Sequence, residues 1–284
     1  MLVIDDKNEM TSTILSLKKR GDVVSFVPTM GCLHEGHLSL IQLAKQHSDV
    51  VVVSIYVNPL QFGPHEDLDR YPRPIEDDLA KCMAEGVAIV FCPKSLYPRQ
   101  SLAVSLHVSG LDQVLCGQDR VGHFDGVATA VCVLFNIVQP DIAIFGEKDF
   151  QQLCILRRMV EDLSIAVAIL AAPIARASDG LALSSRNRYL SDEQRKKALL
   201  LSQCLQAMVH QANAGEESAA KLLQWGHHFL SESGVDVQYL EVRESETLQT
   251  LNLLSQNCGR VFVAARIGHT RLIDNLELPC KSQC

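Results

Sequence analysis

Apolar positions in residues 5–20 fall at Met10, Ile14 and Leu17, three to four apart, and Lys18, Lys19 and Arg20 follow. This spacing predicts an amphipathic helix whose cations sit at the negative end of its dipole, closed by Gly21. The run Val23-Val24-Ser25-Phe26-Val27 then suits a buried strand, and residues 38–45 return to helical spacing. Residues 50–57 are β-branched and do not alternate, as expected of a strand covered on both faces. Residues 76–85 read as helix and 87–91 as strand, and a less regular section covers 93–125. Helix 127–138, strand 142–145, helix 149–163 and strand 165–170 complete the alternation. Strands interleaved with helices predict an α/β fold with a doubly wound parallel sheet over residues 1–175. Beyond a polar crossing at 173–188, helices at 192–211 and 218–232 and strands at 235–242, 260–265 and 270–274 predict a smaller α+β domain over residues 176–284. No internal repeat or low-complexity segment interrupts either part.

Composition narrows the class. The 284 residues are 47% hydrophobic, enough for buried cores, and the formal net charge of −7 argues against broad binding to nucleic acid or anionic membrane. The first residues show no basic region followed by a long apolar segment, and no later run reaches the ~20 apolar residues of a membrane span, so a cytoplasmic chain is expected. The ten cysteines are scattered singly from Cys32 to Cys284 without a Cys-x-x-Cys, and Cys132, Cys154 and Cys204 lie in helix-like apolar patterns. Reduced, mostly buried thiols are expected, with Cys280 and Cys284 as an exposed pair on a mobile tail.

The chemistry concentrates where strand turns into helix, at Pro28-Thr29-Met30-Gly31-Cys32-Leu33-His34-Glu35-Gly36-His37. Helix-starting N–H groups lack intrahelical partners and favour anions, and Gly31 and Gly36 allow close backbone approach. His34 and His37, three residues apart, can both face an anion held there and stabilise charge that develops during attack at phosphorus. Against this stands the plainer reading that either histidine caps and pads the helix. A metal site of Cys32, His34 and His37 lacks a fourth ligand and the i, i+4 spacing of helical zinc motifs. A second strand-to-helix junction, residues 145–152, offers Lys148 for phosphate charge and Asp149 as cap or ribose acceptor; a solvated lysine and a helix cap are the plainer alternatives. Residues 176–188 place hydroxyls beside arginine, a combination suited to a triphosphate, or form a polar loop before a helix capped by Ser191 and Asp192. The loop 58–64 should emerge at the carboxyl edge of the sheet, where ligands collect in such folds.

His34-Glu35-Gly36-His37 resembles the signature of the HIGH-type nucleotidyltransferases. Residues 28–37, 58–62, 146–152 and 179–188 together resemble, in order and type, the motifs of the pantoate-beta-alanine ligase (pantothenate synthetase) family. Tyr71-Pro72-Arg73, Gly122-His123-Phe124, residues 136–141 and Thr270-Arg271-Leu272-Ile273-Asp274-Asn275 extend the likeness over nearly the whole chain, weakest between about 200 and 255. The resemblance implies a Rossmann-like nucleotidyltransferase domain, a C-terminal lid and a homodimer. It also implies ATP and Mg²⁺, the ion held mainly by the ATP phosphates, acting on pantoate and beta-alanine through an enzyme-bound pantoyl adenylate. Carried over residue by residue, it implies nucleotide contacts at Met30, Gly31, Cys32, Leu33, His34, Glu35, Gly36 and His37. Further nucleotide contacts fall at Gly146, Glu147, Lys148, Asp149, Ala175, Leu183, Ser184, Ser185 and Arg186. His37 is implied as catalytic acid with His34 its phosphate-contacting companion, Lys148 and Arg186 as charge stabilisers, Gln61 as a pantoate and beta-alanine residue, and Gln152 as a pantoate residue. Asp77 and Asp78 are either magnesium-side groups or an ordinary acidic helix start. Two rival readings are a nucleotidyltransferase that leaves AMP or CMP on its product and a non-catalytic nucleotide sensor.

Overall fold

The computed structural model describes residues 1–64, 66–97, 102–232 and 234–280. The first part of the chain runs β1 (Leu2–Ile4), α1 (Lys7–Lys19), β2 (Val24–Thr29), α2 (Glu35–His47), β3 (Val50–Ile55), α3 (Ile75–Ala84), β4 (Ile89–Phe91), α4 (Leu115–Asp119), α5 (His123–Val138), β5 (Ile142–Gly146), α6 (Phe150–Asp162) and β6 (Ala168–Ala172). The six strands form one parallel sheet in the order β1-β4-β3-β2-β5-β6. Val24, Phe26, Val27, Val52 and Val53 are fully buried, which is why β2 and β3 read as unbroken apolar runs. From β2 the chain builds outward through β3 and β4, then crosses to β5 on the other side of β2. This switch places the ends of β2 and β5, Thr29 and Gly146, side by side at the carboxyl edge.

The sequence reading leaves out β1 and α4. Three residues with Leu2 and Val3 exposed at a sheet edge, and five at the foot of an irregular section, carry too little period to be legible. The strand expected at 165–170 is displaced to Ala168–Ala172. Ser164 adopts φ 50° and the Ile165 N–H returns to the Val160 carbonyl, so Ile165 caps α6.

The remainder runs α7 (Asp192–Asn213), α8 (Ala219–Glu232), β7 (Asp236–Glu244), β8 (Gly259–Ile267) and β9 (Thr270–Glu277), with an antiparallel β7-β8-β9 sheet. Leu201, Leu205 and Met208 of α7 and Leu222 and Leu230 of α8 are buried with Val261, Val263 and Ala265 of β8. Each fully buried side chain of this kind contributes roughly 1.5–3 kcal/mol.

The chain divides into two compact units. One comprises Met1–Asp112, Gly117–Glu147 and Gln152–Pro173; the other comprises Gln113–Cys116, Lys148–Gln151 and the chain from Ile174 onward. Two short pieces thus belong with the second unit although the sequence suggests a single division near 175. Gln151 explains one, its side chain accepting from the Cys116 N–H at 2.9 Å and donating to the Val114 carbonyl at 2.7 Å. Phe150 explains the other, its ring lying against Phe262 and under the Arg260 guanidinium.

The crossing at 173–188 is not a loose polar loop. Leu183 N–H donates to the Ala175 carbonyl and Ala177 N–H to the Leu181 carbonyl, closing a hairpin with Gly180 at φ 94°. Nor are all cysteines reduced: Cys258 and Cys280 form a disulfide. The antiparallel register, Arg260 opposite Glu277, draws the residues before β8 and after β9 together, which no spacing in the sequence reveals. Cys284, expected with Cys280 as an exposed thiol on the tail, lies outside the described residues. Among the described residues, no helix is long and apolar enough to cross a membrane.

Candidate functional site

The turn after β2 is built around Asp78. This carboxylate, 1% exposed, accepts the Cys32 N–H and the Leu33 N–H, each at 2.7 Å. Lys81, one turn further along α3, donates to the Leu33 carbonyl at 2.8 Å and to Asp77 at 2.6 Å. A Cβ on Gly31 would lie 2.9 Å from an Asp78 oxygen, and Gly31 has φ 81°; the glycine is required by the approach to Asp78. Asp78 belongs to the acidic first turn of α3, and both of its oxygens accept backbone N–H groups of the signature turn. Burial lifts its carboxyl above the ordinary 3.8 despite the two N–H donors and Lys81.

The donors expected to cradle an anion are largely satisfied from within. Gly31 N–H goes to Thr29 Oγ1, Gly36 N–H to His34 Nδ1 at 3.1 Å, His34 N–H to His37 Nδ1 at 3.3 Å, and His37 N–H to the His34 carbonyl. His34 is the N-cap of α2 and closes a reciprocal capping box with His37. The capping and chemical readings of these histidines therefore combine. With Nδ1 of each ring accepting from backbone, the neutral imidazoles carry their proton on Nε2. The rings lie 4.1 Å apart between centroids. What this turn offers a phosphate is imidazole N–H, more than helix-end amide.

Gln61 sits in a short 3₁₀ turn, Pro59–Gln61, beyond β3. Its Oε1 accepts from Asn58 Nδ2 at 3.0 Å, and its Nε2 lies 3.0 Å from Met30 Sδ, joining two segments that the sequence held apart. Asn58 is buried and saturated, donating also to the Gly126 carbonyl and accepting from Tyr97 and Leu60. Sequence reasoning missed the support behind Gln61. Its backbone carbonyl accepts from His123 Nδ1 at 2.7 Å and from Arg120 at 3.3 Å, while Arg120 grips Glu66 through two bonds of 2.6 Å. A carbonyl only accepts, so His123 carries its proton on Nδ1, and Nε2 takes the Arg120 N–H at 2.8 Å. Gly122-His123-Phe124 stood out only by resemblance; the physical signal, a long-range contact to residue 61, is not local.

In the same unit Gly146 ends β5, Glu147 opens a 3₁₀ turn over Glu147–Asp149, and Gln152 is half-buried in the first turn of α6.

In the second unit, Lys148 pairs with Asp149 at 3.4 Å, and its carbonyl accepts from Asn275 Nδ2 at 3.0 Å. Asp149 ends the 3₁₀ turn beside this lysine, immediately before the first residue of α6. Ala175 and Leu183 pair across the hairpin through backbone, so the Ala175 side chain is incidental. Ser184 caps a 3₁₀ helix, Ser185–Tyr189, by accepting the Arg186 N–H at 3.3 Å.

Among the described residues no three His, Cys, Asp or Glu side chains gather as a cation cage. Within the first unit stand the imidazoles of His34 and His37 and the amides of Gln61 and Gln152; the second unit carries the cations Lys148 and Arg186.

The chain is similar to known proteins over nearly its whole length. A pantothenate synthetase of Pelobacter propionicus is 48% identical over 283 residues, covering 98% of each chain. The crystal structure of pantothenate synthetase from Thermus thermophilus is similar with a TM-score of 0.92 at 44% identity, covering 98% of this chain and 100% of that one. The pantoate-beta-alanine ligase of Francisella tularensis, solved in complex with beta-gamma ATP and beta-alanine, has a TM-score of 0.79 at 33% identity, covering 98% and 97%. Because the family model described as pantoate-beta-alanine ligase also matches residues 2–277, the chain belongs to the pantoate-beta-alanine ligase family.

Proposed function

We propose that this chain condenses pantoate with beta-alanine, using ATP and releasing AMP and pyrophosphate. In the first half-reaction a pantoate carboxylate oxygen attacks the α-phosphorus and the bond to pyrophosphate breaks, leaving pantoyl adenylate. In the second, the beta-alanine amine attacks the acyl carbon, AMP departs with the bonding pair, and the amine loses a proton.

The observation that carries this reading is the tautomer-fixed histidine pair on a turn held rigid by Asp78, in a chain that matches the family along its length. Neutral Nε2–H groups stabilise charge growing on phosphate oxygens without binding the reactant phosphate as tightly as cations would. His37 accordingly acts as a hydrogen-bond donor, a narrower role than the catalytic acid that family likeness implies. Gln61 and Gln152 orient pantoate as neutral amides, so its carboxylate keeps the charge needed for attack. Lys148 and Arg186 take the charge of the departing pyrophosphate. Residues 30–37, Gly146 to Asp149, Ala175 and Leu183 to Arg186 contact the nucleotide. Magnesium enters as MgATP, held by the phosphates, since Asp78 is committed to backbone and Asp77 to Lys81. A homodimer in the cytoplasm completes the proposal. So does closure of the second unit during the reaction, because water would hydrolyse an acyl adenylate.

Pantoate-dependent exchange of labelled pyrophosphate into ATP, with Mg²⁺ and without beta-alanine, tests the adenylate directly. Exchange is expected, and free AMP should accumulate once beta-alanine is added. Folded, ATP-binding protein without exchange would overturn the adenylate route or the acid substrate. A nucleotide retained on the product would indicate transfer without ligation. His37→Ala should slow exchange by on the order of 10²-fold, and Gln152→Ala should weaken apparent pantoate affinity; a normal value in either removes that residue from its role.

A further inference from the structure

Asp274 and Asn275 are consecutive on β9, both almost wholly buried, and neither has a part in the chemistry above. They are nonetheless joined to both segments of the second unit that carry cations. Asn275 Nδ2 donates to the Lys148 carbonyl at 3.0 Å, while its Oδ1 accepts from Arg260 Nη1 at 2.6 Å. Arg260 in turn lies over the Phe150 ring, 3.8 Å from its centroid, two residues beyond Lys148. Asp274 takes the Arg176 guanidinium through two parallel bonds of 2.7 and 2.8 Å. Arg176 also donates to the Gly180 carbonyl, tying down the hairpin that leads to Leu183 and Arg186. The Asn275 backbone N–H donates to Asp274 Oδ1 at 2.8 Å, which fixes the Asp274 rotamer.

The geometry points to Asp274 and Asn275 as positioning residues for adenylate formation: this strand dipeptide sets the backbone of Lys148 and of the Arg186 hairpin in a common frame. The physical case is that lysine, a long flexible cation, is aimed only as well as the backbone carrying it. A 3₁₀ turn of three residues at Glu147–Asp149 does not hold that backbone by itself. A paired strand does, and Asn275 transmits its rigidity through one amide. The bidentate Asp274–Arg176 pair does the same for the hairpin, with an orientation that a single bond would leave loose. Pyrophosphate departure is the step that depends on both cations, so it is the step that these two residues govern. Capture of the adenylate by the amine is not.

This inference rests on the role given above to Lys148 and Arg186, and the test separates the two. Asn275→Asp keeps an oxygen for Arg260 and exchanges the donor to the Lys148 carbonyl for an acceptor, with no change of shape. We expect pantoate-dependent pyrophosphate exchange, per active site titrated, to fall about tenfold or more, while aminolysis of supplied pantoyl adenylate stays within about twofold. In a Lys148→Ala background the same substitution should cost nothing further, since its effect passes through the lysine. Asp274→Asn, which leaves Arg176 an acceptor but no matching charge, should behave likewise against Arg186→Ala. Exchange within twofold of the parent overturns the inference. So does a loss that multiplies with Lys148→Ala, or one that strikes both half-reactions equally, the mark of a merely structural role. If Lys148→Ala itself leaves exchange intact, the catalytic assignment of Lys148 fails instead.

Discussion

Asp78 shows how a carboxyl whose charge is costly to bury can still hold a site in shape. Burial raises its carboxyl above the ordinary 3.8, so the folded state holds the proton more tightly than the unfolded chain does. As pH climbs from 3.8 through the raised value, ionisation of this carboxyl reduces the stability that its protonated form gives. What it secures is the conformation of Gly31, Cys32 and Leu33, two of them at positive φ. Asp78→Ala leaves two buried N–H groups without partners, each costing about 1–3 kcal/mol. The urea midpoint should drop accordingly at neutral pH, with pyrophosphate exchange falling as well. Gly31→Ala should be at least as damaging, since its methyl meets Asp78 and Ile55 at about 3 Å. Unchanged urea curves in both would show that the turn is not held this way. Legibility at single positions was uneven. Gly31, His34 and His37 stand out by type and spacing; Asp78 reads as one of three acids in a row, because its partners lie 45 and 46 residues away.

Elements position Gln61. A Cβ at Gly126 in α5 would lie 2.2 Å from the Leu60 carbonyl, so the helix touches the 3₁₀ turn backbone to backbone. Gly126→Ala must push that turn away, and a shift near 1 Å there should lower kcat/KM for pantoate by on the order of 10²-fold. Steady-state kinetics with pantoate varied at saturating ATP would check it. Behind the turn, burial alone would raise Glu66, but the Arg120 hydrogen bonds and charge hold its carboxyl below the ordinary 4.5. A depressed carboxyl stabilises the fold above 4.5 and loses that contribution as pH falls through the lowered value. The difference in melting temperature between the parent and Glu66→Gln should thus be full at neutral pH and close below pH 4.5. A constant difference across that range would contradict the pairing. Element types were largely readable from period. Their ends were not, because the αL cap at Ser164 and the hairpin at Gly180 depend on where the chain must next go.

Across the molecule, the disulfide is the largest departure from expectation. Joining Cys258 and Cys280, 22 residues apart, should stabilise the second unit by roughly 3 kcal/mol through the unfolded chain. Calorimetry with and without reductant, and on Cys280→Ser, should show one transition lowered; identical melts would mean that the bond contributes nothing. The remaining described thiols fit the buried, unreactive reading in part. Burial, with the Asp78 charge adding to it at Cys82, pushes both Cys82 and Cys204 up to about 12. Alkylation of these two near pH 8 should therefore require unfolding, as mass mapping would register.

The α/β class, the strands buried on both faces, the strand-to-helix placement of His34, His37 and Lys148, and the family were all legible in the chain alone. Each rests on local period, on residue type at a turn, or on motif order. Folding in three dimensions was needed to settle that backbone N–H groups of the signature turn are taken up by Asp78 and by the histidines themselves. It alone revealed that the Gln61 carbonyl rests on His123 and Arg120, that residues 148–151 belong with the second unit, and that Asn275 reaches the Lys148 carbonyl. Each of these is a pairing across tens of residues, fixed by sheet order and register, and side-chain periodicity carries no record of which distant group will complete a hydrogen bond.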